Sequence, residues 1–176
     1  RFPKYEDYYC VYPNIIENGE LLLSIKNNKY DFLIANHMIE HTENVFKTIQ
    51  NHLRVLKKGG ILYYAVPDKR FTFDKNRELT TYEHLKAEYL YGSENYRYEH
   101  FLDFVTNVQN VKEEKEASKV AKKLSEEGLD THFHVWTSET FIDHIKKAID
   151  DKILNIEILE HTHKNDIESI TILKKL

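Results

Sequence analysis

Two short apolar runs separated by a helix-length segment constrain the fold more than any other feature of the sequence. Phe32–Ala35 and Ile61–Val66 have the length of strands and are apolar almost throughout, which is typical of strands buried on both faces. The segment between them repeats aliphatic residues at helical spacing, at Val45, Ile49, Leu53 and Leu56. A strand, a helix and a second strand joined by short links predict a βαβ unit with parallel strands. The predicted fold class is therefore α/β with a parallel sheet.

The segments that flank these elements carry weaker signals. Tyr8–Ile16 could form a strand, and Asn18-Gly19 marks a turn. Inside the βαβ unit, we expect Gly59-Gly60 to end the helix, with two lysines just before it in the last turn. After the unit, Thr137 or Ser138 can cap a further helix. The last apolar runs, Ile153–Leu159 and Ile167–Leu173, predict two strands joined as an antiparallel hairpin.

Residues 68–136 differ in composition from the rest, because they are rich in tyrosine, histidine and charged residues. Within them only Ala117–Leu124 has a clear amphipathic pattern, and Gly128 follows it as a helix stop. A stretch of this length between core elements is typical of a lid or an inserted helical subdomain. We therefore expect residues 68–136 to be a helical insertion within one domain.

Charge, hydropathy and cysteine content indicate which binding partners and which cellular compartment to expect. The net charge of −4 and the pI near 6.2 give no sign of the basic surface that nucleic-acid binders carry. The longest apolar run is of strand length, so we expect no membrane partner. Cys10 is the only cysteine, which excludes an internal disulfide and favours a reducing, cytoplasmic location. The sequence leaves the oligomeric state open.

The segments YDFLIANHMIEH at 30–41, LRVLKKGGIL at 53–62 and Val66-Pro67 together resemble class I S-adenosylmethionine (SAM)-dependent methyltransferases. The segments PDKRFTFD at 67–74 and HFHVW at 132–136 are similar to those of a bacterial subgroup of these enzymes. The resemblance covers nearly the whole chain. It implies a Rossmann-like seven-stranded sheet of order 3-2-1-4-5-7-6 with a reversed last strand.

In that fold the strands of this chain would be the third to the seventh. Cys10–Ile16 would be the third strand, Phe32–Asn36 the fourth and Ile61–Val66 the fifth, with the closing hairpin as sixth and seventh. The glycines of this chain do not form the Gly-x-Gly-x-Gly loop by which the family binds the methionine end of SAM. We expect that loop and the first two strands to precede Arg1, so that residues 1–176 are a partial, N-terminally truncated domain. A degenerate, cofactor-free relative is the alternative.

Two groups of residues would meet the cofactor if the resemblance holds. The first follows the third strand, where the family contacts adenine, and comprises Asn18, Gly19, Glu20 and Leu22. Its alternative role is a simple turn. The second lies at or just after the carboxyl end of the fourth strand, where open α/β sheets bind ligands, and comprises Asn36, His37 and His41. For Glu40 and His41 the alternative is a structural role at a helix start.

Five residues of the insertion are candidates for the acceptor side. Arg77 could bind a carboxylate or phosphate, or form a local ion pair with Asp74. His84 could act as a general base, and His132 and His134 alternate in an extended segment and could join it in one cluster. We expect no metal here, although imidazoles also suit zinc or iron.

The predicted function is SAM-dependent methyl transfer to a small-molecule or glycan-like acceptor, at oxygen. The acceptor and the methylated atom rest on the resemblance. A non-catalytic α/β module of a larger polypeptide, such as a scaffold or a glycan-binding partner, is the alternative from another class. A Rossmann-type oxidoreductase is disfavoured by the Glu-His and Leu-Lys-Lys-Gly-Gly segments.

Overall fold

A mixed four-stranded sheet with strand order β1-β2-β4-β3 lies at the centre of the computed structural model, which describes residues 13–164 and 167–176. The strands are β1 (Tyr30–Asn36), β2 (Leu56–Pro67), β3 (Ile156–Lys164) and β4 (Glu168–Lys175). The helices are α1 (Val45–Val55), α2 (Tyr82–Tyr91), α3 (Arg97–Asn107), α4 (Glu114–Glu127) and α5 (Ser138–Asp150). Short 3-10 turns connect several of them. No described helix has both the length and the apolar character that a membrane crossing needs.

The predicted βαβ unit is confirmed. β1 and β2 pair in parallel, with Phe32 opposite Ile61 and Asn36 opposite Ala65, and α1 connects them. β4 then lies antiparallel between β2 and β3. This arrangement is the 4-5-7-6 part of the expected strand order, including the reversed last strand. The α/β, Rossmann-like fold class is therefore confirmed.

Several predicted boundaries were wrong. The helix ends at Val55, because Leu56 is extended and pairs with Tyr30 of β1. Gly59-Gly60 therefore lies inside β2, in an irregular stretch between Leu56 and Ile61, which pairs with Phe32. β3 runs on to Lys164, so its histidines lie in a strand and not in the hairpin link. Residues 8–12 of the predicted strand Tyr8–Ile16 lie outside the described residues, and residues 13–16 form no strand.

Helix α1 buries its apolar side against the sheet. The Asn44 side chain caps it by accepting from the Lys47 backbone N–H at 3.1 Å. Phe46 and Ile49 are fully buried in a core shared with β2 and α5. At the start of α5, Thr137 and Thr140 form a reciprocal capping box. Both helices therefore pack on the same face of the sheet.

The opposite face of β1 is open among the described residues. Leu33 and Ala35 pack against the core, but Phe32 and Ile34 are 65% and 58% exposed. The prediction that this strand is buried on both faces was therefore wrong for the described part of the chain. Phe32 and Ile34 lie on the face opposite Leu33 and Ala35, and β1 is the edge strand of the described sheet.

Residues 68–136 are largely helical, since they contain α2, α3 and α4. The predicted helix Ala117–Leu124 lies within α4, and Gly128 follows it with a left-handed φ of 66°. α3 and α4 pack on each other around a second, smaller core formed by Phe101, Val105, Ala117, Ala121 and Phe133. Through Phe133, this small core fixes the extended stretch that precedes α5.

Candidate functional site

A groove of about 380 Å³ runs along β1 to its carboxyl end. Three of the residues predicted to meet the cofactor line it, namely Gly19, Leu22 and Asn36. The rest of its lining is Leu33, Ile34, Ala35, Met38 and His52. The groove is therefore mostly apolar with a few polar groups, which is the usual character of a small-molecule site.

The turn before β1 is fixed by its own side chains. Asn18 Oδ1 accepts from the backbone N–H of Glu20 at 2.8 Å and of Leu21 at 3.1 Å. The carbonyl of Gly19 lies 3.0 Å from His52 Nε2. A Cβ on Gly19 would lie 2.7 Å from Met38 Cε, so glycine allows the turn and Met38 to approach. Asn18 thus has the local turn role that was its alternative.

Glu20 points towards the start of α1 and away from solvent. Its Oε1 accepts from the Glu43 backbone N–H at 3.4 Å, and burial raises the pKa of its carboxyl group. Arg54 anchors the same loop by donating to the carbonyl of Leu22 at 2.7 Å and of Ile25 at 2.8 Å. The loop is therefore held in place from α1.

His37 stands at the carboxyl end of β1, between the groove residues Asn36 and Met38. Its backbone has a left-handed φ of 48°, and its N–H donates to the Ala65 carbonyl at 2.9 Å. His37 Nε2 lies 2.8 Å from Glu168 Oε2, and 46% of the side chain is exposed. The ring is therefore oriented by a carboxylate while it stays accessible.

Glu40 is buried next to two imidazoles. It is 1% exposed, and neither of its carboxylate oxygens has a hydrogen-bond partner among the described residues. Burial raises its pKa, against the attraction of His132 and His41. His41 Nε2 lies 3.9 Å from Glu40 Oε1, while His41 Nδ1 lies 2.9 Å from Asp130. Glu40, His41 and His132 could together hold a metal ion.

The five residues predicted for the acceptor side fall into two clusters. In the first, Arg77 is 2% exposed and pairs with Asp74 at 2.9 Å and Asp103 at 2.6 Å. It also donates to the His132 carbonyl at 2.7 Å. His132 Nδ1 lies 2.6 Å from Asp74. Burial alone would raise the pKa of Asp74, but hydrogen bonds from His132 and Arg77 lower it. This geometry favours the local ion pair over a substrate clamp.

The second cluster, here called the histidine cluster, consists of His84, Glu88, His100 and His134. Glu88 Oε1 lies 3.1 Å from His84 Nε2 and 2.7 Å from His100 Nε2, and its Oε2 lies 2.8 Å from His134 Nε2. Burial lowers the pKa of His134 well below its ordinary value, and no described residue bonds its Nδ1. The hydrogen bond to Glu88 raises the pKa of His84, against a smaller effect of burial.

Sequence reasoning missed Glu88 and His100. The spacing of His84 and Glu88, four residues apart on α2, was a usable signal that both face one side of a helix. His100 gave no comparable signal, because its place depends on how α3 packs.

Asp68, which follows β2, is held away from the groove. Its carboxylate accepts from the Arg70 side chain at 2.7 Å and from the Ser138 backbone N–H at 2.8 Å. Burial would raise its pKa, but these hydrogen bonds lower it. Asp68 therefore joins the end of β2 to the start of α5.

Comparison with known proteins assigns the family. A family model described as a methyltransferase domain matches residues 17–148, which is most of the chain. No protein of curated function matches.

Solved structures give weaker likenesses. A SAM-dependent methyltransferase of Methanosarcina mazei is 21% identical with a TM-score of 0.44, over 91% of this chain and 65% of that one. One of Thermotoga maritima is 14% identical with a TM-score of 0.39, over 90% and 61%. A Pyrococcus horikoshii OT3 protein is 14% identical with a TM-score of 0.46, over 92% and 58%. The chain thus spans less than two thirds of each of these proteins.

The extent of the family match, together with a parallel βαβ unit closed by a reversed strand, places this chain in the methyltransferase-domain family.

Proposed function

We propose that the protein containing this chain transfers a methyl group from SAM to a small-molecule acceptor. The observation that carries the proposal is the family match over residues 17–148. The position of the groove supports it, because ligands of open α/β sheets bind at the carboxyl ends of the strands.

The described residues fit part of the cofactor. Gly19, Leu22 and Asn36 would hold it, with apolar side chains for the adenine ring and the Asn36 amide as donor and acceptor. A side chain on Gly19 would disturb the contact of the turn with Met38. When bound, SAM supplies an electrophilic methyl group on a sulfonium.

We assign His37 as the base for an acceptor hydroxyl. In this role Nε2–H donates to Glu168 Oε2, at 2.8 Å, and Nδ1, which lies 3.7 Å from Glu40 Oε1, takes the proton. His37 itself does not line the groove, but its neighbours Asn36 and Met38 do. The Glu168 carboxylate would also stabilise the imidazolium that forms, as an orienting acid does in other imidazole bases.

Oxygen as the methylated atom, and a glycan-like acceptor, are the finer part of this proposal. They are supported by the resemblance of residues 67–74 and 132–136 to the bacterial subgroup. We further propose that residues 68–136 act as a helical lid over the acceptor. The position of α2, α3 and α4 between β2 and α5 supports this role.

Two measurements test the proposal. Calorimetry with the protein containing this chain should detect SAM binding, and mass spectrometry with labelled SAM should detect a methylated product from a panel of hydroxylated metabolites and sugars. Absence of SAM binding would refute the proposal and favour a non-catalytic α/β module.

The His37→Asn variant tests the assigned base. Asparagine tolerates the left-handed backbone, so the fold should be kept. We expect kcat to fall about 10²–10⁴-fold, while SAM affinity is unchanged. His163→Asn makes the same replacement on β3, at the opposite edge of the sheet from β1, and serves as the control. Equal losses in both variants, or an unchanged kcat in His37→Asn, would overturn the assignment.

A further inference from the structure

We propose that the histidine cluster, His84, Glu88, His100 and His134, binds a divalent transition-metal ion, with zinc as the ion that suits it best. The donors come from three parts of residues 68–136, here called the helical segment. α2 provides His84 and Glu88, α3 provides His100, and the extended stretch before α5 provides His134. The proposal does not depend on methyl transfer.

The donor atoms already lie near coordination distance of a common centre. All four lie within 4.8 Å of one another. In a tetrahedral site with metal–nitrogen distances of about 2.0–2.1 Å, neighbouring ligand atoms are about 3.4 Å apart. The two Nε2 atoms of His84 and His100 are 3.3 Å apart, which matches that edge. Side-chain shifts of about 1 Å would bring the other pairs, which are both shorter and longer than this edge, to tetrahedral spacing.

Burial and charge also favour a cation at this place. The carboxylate of Glu88 is fully buried, and its described partners are three imidazoles, with no lysine or arginine among them. A buried carboxylate is costly unless an opposite charge lies beside it. The imidazoles offer hydrogen bonds to Glu88, and a divalent ion bound between them would offset the charge of its carboxylate directly.

The kinds of donor select the kind of metal. Calcium and magnesium prefer sites made of oxygen atoms only, which three imidazoles do not provide. Three imidazole nitrogens and one carboxylate oxygen suit zinc and its first-row neighbours.

The site can be reached from solvent. His84 is 26% exposed, and both His84 and His100 line a cavity of about 240 Å³ together with Thr80, Thr81 and Glu99. An ion could enter along this cavity without unfolding α2. His134, by contrast, is completely buried and forms the floor of the cluster.

Elemental analysis tests the proposal without SAM or acceptor. The protein containing this chain, stripped with a chelator and then dialysed against zinc, should hold about one zinc per chain. Loading with cobalt should give the intense visible bands of a tetrahedral site with nitrogen and oxygen ligands.

Three variants locate the ion. His84→Gln lies on the exposed side of the cluster and should fold, while its zinc affinity falls at least about tenfold. Glu88→Gln should have the same effect. His132→Gln is the control, because it lies two residues from His134 but belongs to the set with Glu40 and His41.

The zinc contents of these variants decide for or against the proposal. Zinc that is lost in both cluster variants and kept in His132→Gln would support the proposal. Zinc lost only in His132→Gln, or wild-type protein that takes up no zinc while its circular dichroism shows a folded chain, would overturn it. If a cluster variant fails to fold, the zinc content of the wild type and of the control, with the cobalt spectrum, still decides.

Discussion

Replacement of Arg77 by methionine should lower the stability of the folded protein, and this loss should be its main effect rather than weaker ligand binding. The Arg77 guanidinium is buried between Asp74 and Asp103 and also donates to the carbonyls of His132 and Phe133. Methionine keeps much of the length and the apolar stem of the side chain but removes every one of these donors. Asp74, whose side chain is only 3% exposed, then loses the positive charge of its ion pair.

The size of the effect follows from that loss. Removal of one partner from a buried ion pair costs about 3–5 kcal/mol, because the other charge is left in a poorly solvated place. The carbonyls of His132 and Phe133 also lose a donor. Their cost is not simply added to that of the ion pair, because both belong to the same site. The Asp103 pair contributes little, since Asp103 is 32% exposed and can turn to water. We therefore expect the free energy of unfolding of Arg77→Met to fall by about 3–5 kcal/mol.

Urea unfolding, followed by circular dichroism, measures this change. The double variant Asp74→Asn with Arg77→Met should recover about 1–3 kcal/mol of the loss, because the buried acid is then neutral. The alternative role of Arg77 as a clamp for an anionic acceptor predicts the opposite pattern. A wild-type free energy of unfolding combined with a raised KM for the acceptor would refute the structural role argued here.

Two further predictions concern the two glycines in the irregular stretch of β2 and the buried acid after β1. Gly59→Ala should cost about 1–2 kcal/mol, since its φ of 76° strains alanine although its Cβ would meet no atom within 4 Å. Gly60→Ala should cost more in the same urea assay, because its Cβ would lie 2.8 Å from the Lys57 carbonyl oxygen, and equal costs would contradict this reasoning. Glu40→Gln should stabilise the metal-free protein at pH 7 by about 1–3 kcal/mol, because the pKa of Glu40 is raised by burial and its ionised form is disfavoured in the folded state. The contribution of Glu40 to stability should accordingly fall as pH rises above 4.5, so the gain in the variant should vanish below that pH. A constant difference between variant and wild type from pH 4 to 8 in thermal melts would refute the assignment.

The sheet could be predicted from the sequence because its signals are local. The apolar runs and the helical spacing between them lie within 35 residues. Because the links between them are short, a right-handed βαβ unit with parallel strands is the expected topology. The start of β2 could not be predicted in this way. Lys57–Gly60 has no apolar pattern of a strand, and it belongs to β2 because Leu56 before it pairs with Tyr30 and Ile61 after it pairs with Phe32. Local propensity was overridden by pairing with a distant segment.

In the candidate site, too, positions that depend on local sequence could be predicted, and positions that depend on distant contacts could not. Asn36 was placed correctly at the carboxyl end of β1 because that position depends only on the βαβ unit. The contacts of His132 with Asp74 and of His134 with Glu88 span 58 and 46 residues. Such contacts depend on how α2, α3 and α4 pack, and the sequence pattern does not determine that packing.

The stretch His132–His134 connects the two clusters of the helical segment to the loop after β1. The backbone N–H groups of Phe133 and His134 donate to the Glu40 carbonyl at 2.8 and 3.3 Å. Because successive side chains of an extended chain point to opposite sides and alternate ones share a side, the Phe133 ring enters the small core while both histidines turn towards acids. Because Phe133 and His134 both bond the Glu40 carbonyl, the loop that carries His37 and the histidine cluster are joined through one short stretch of backbone.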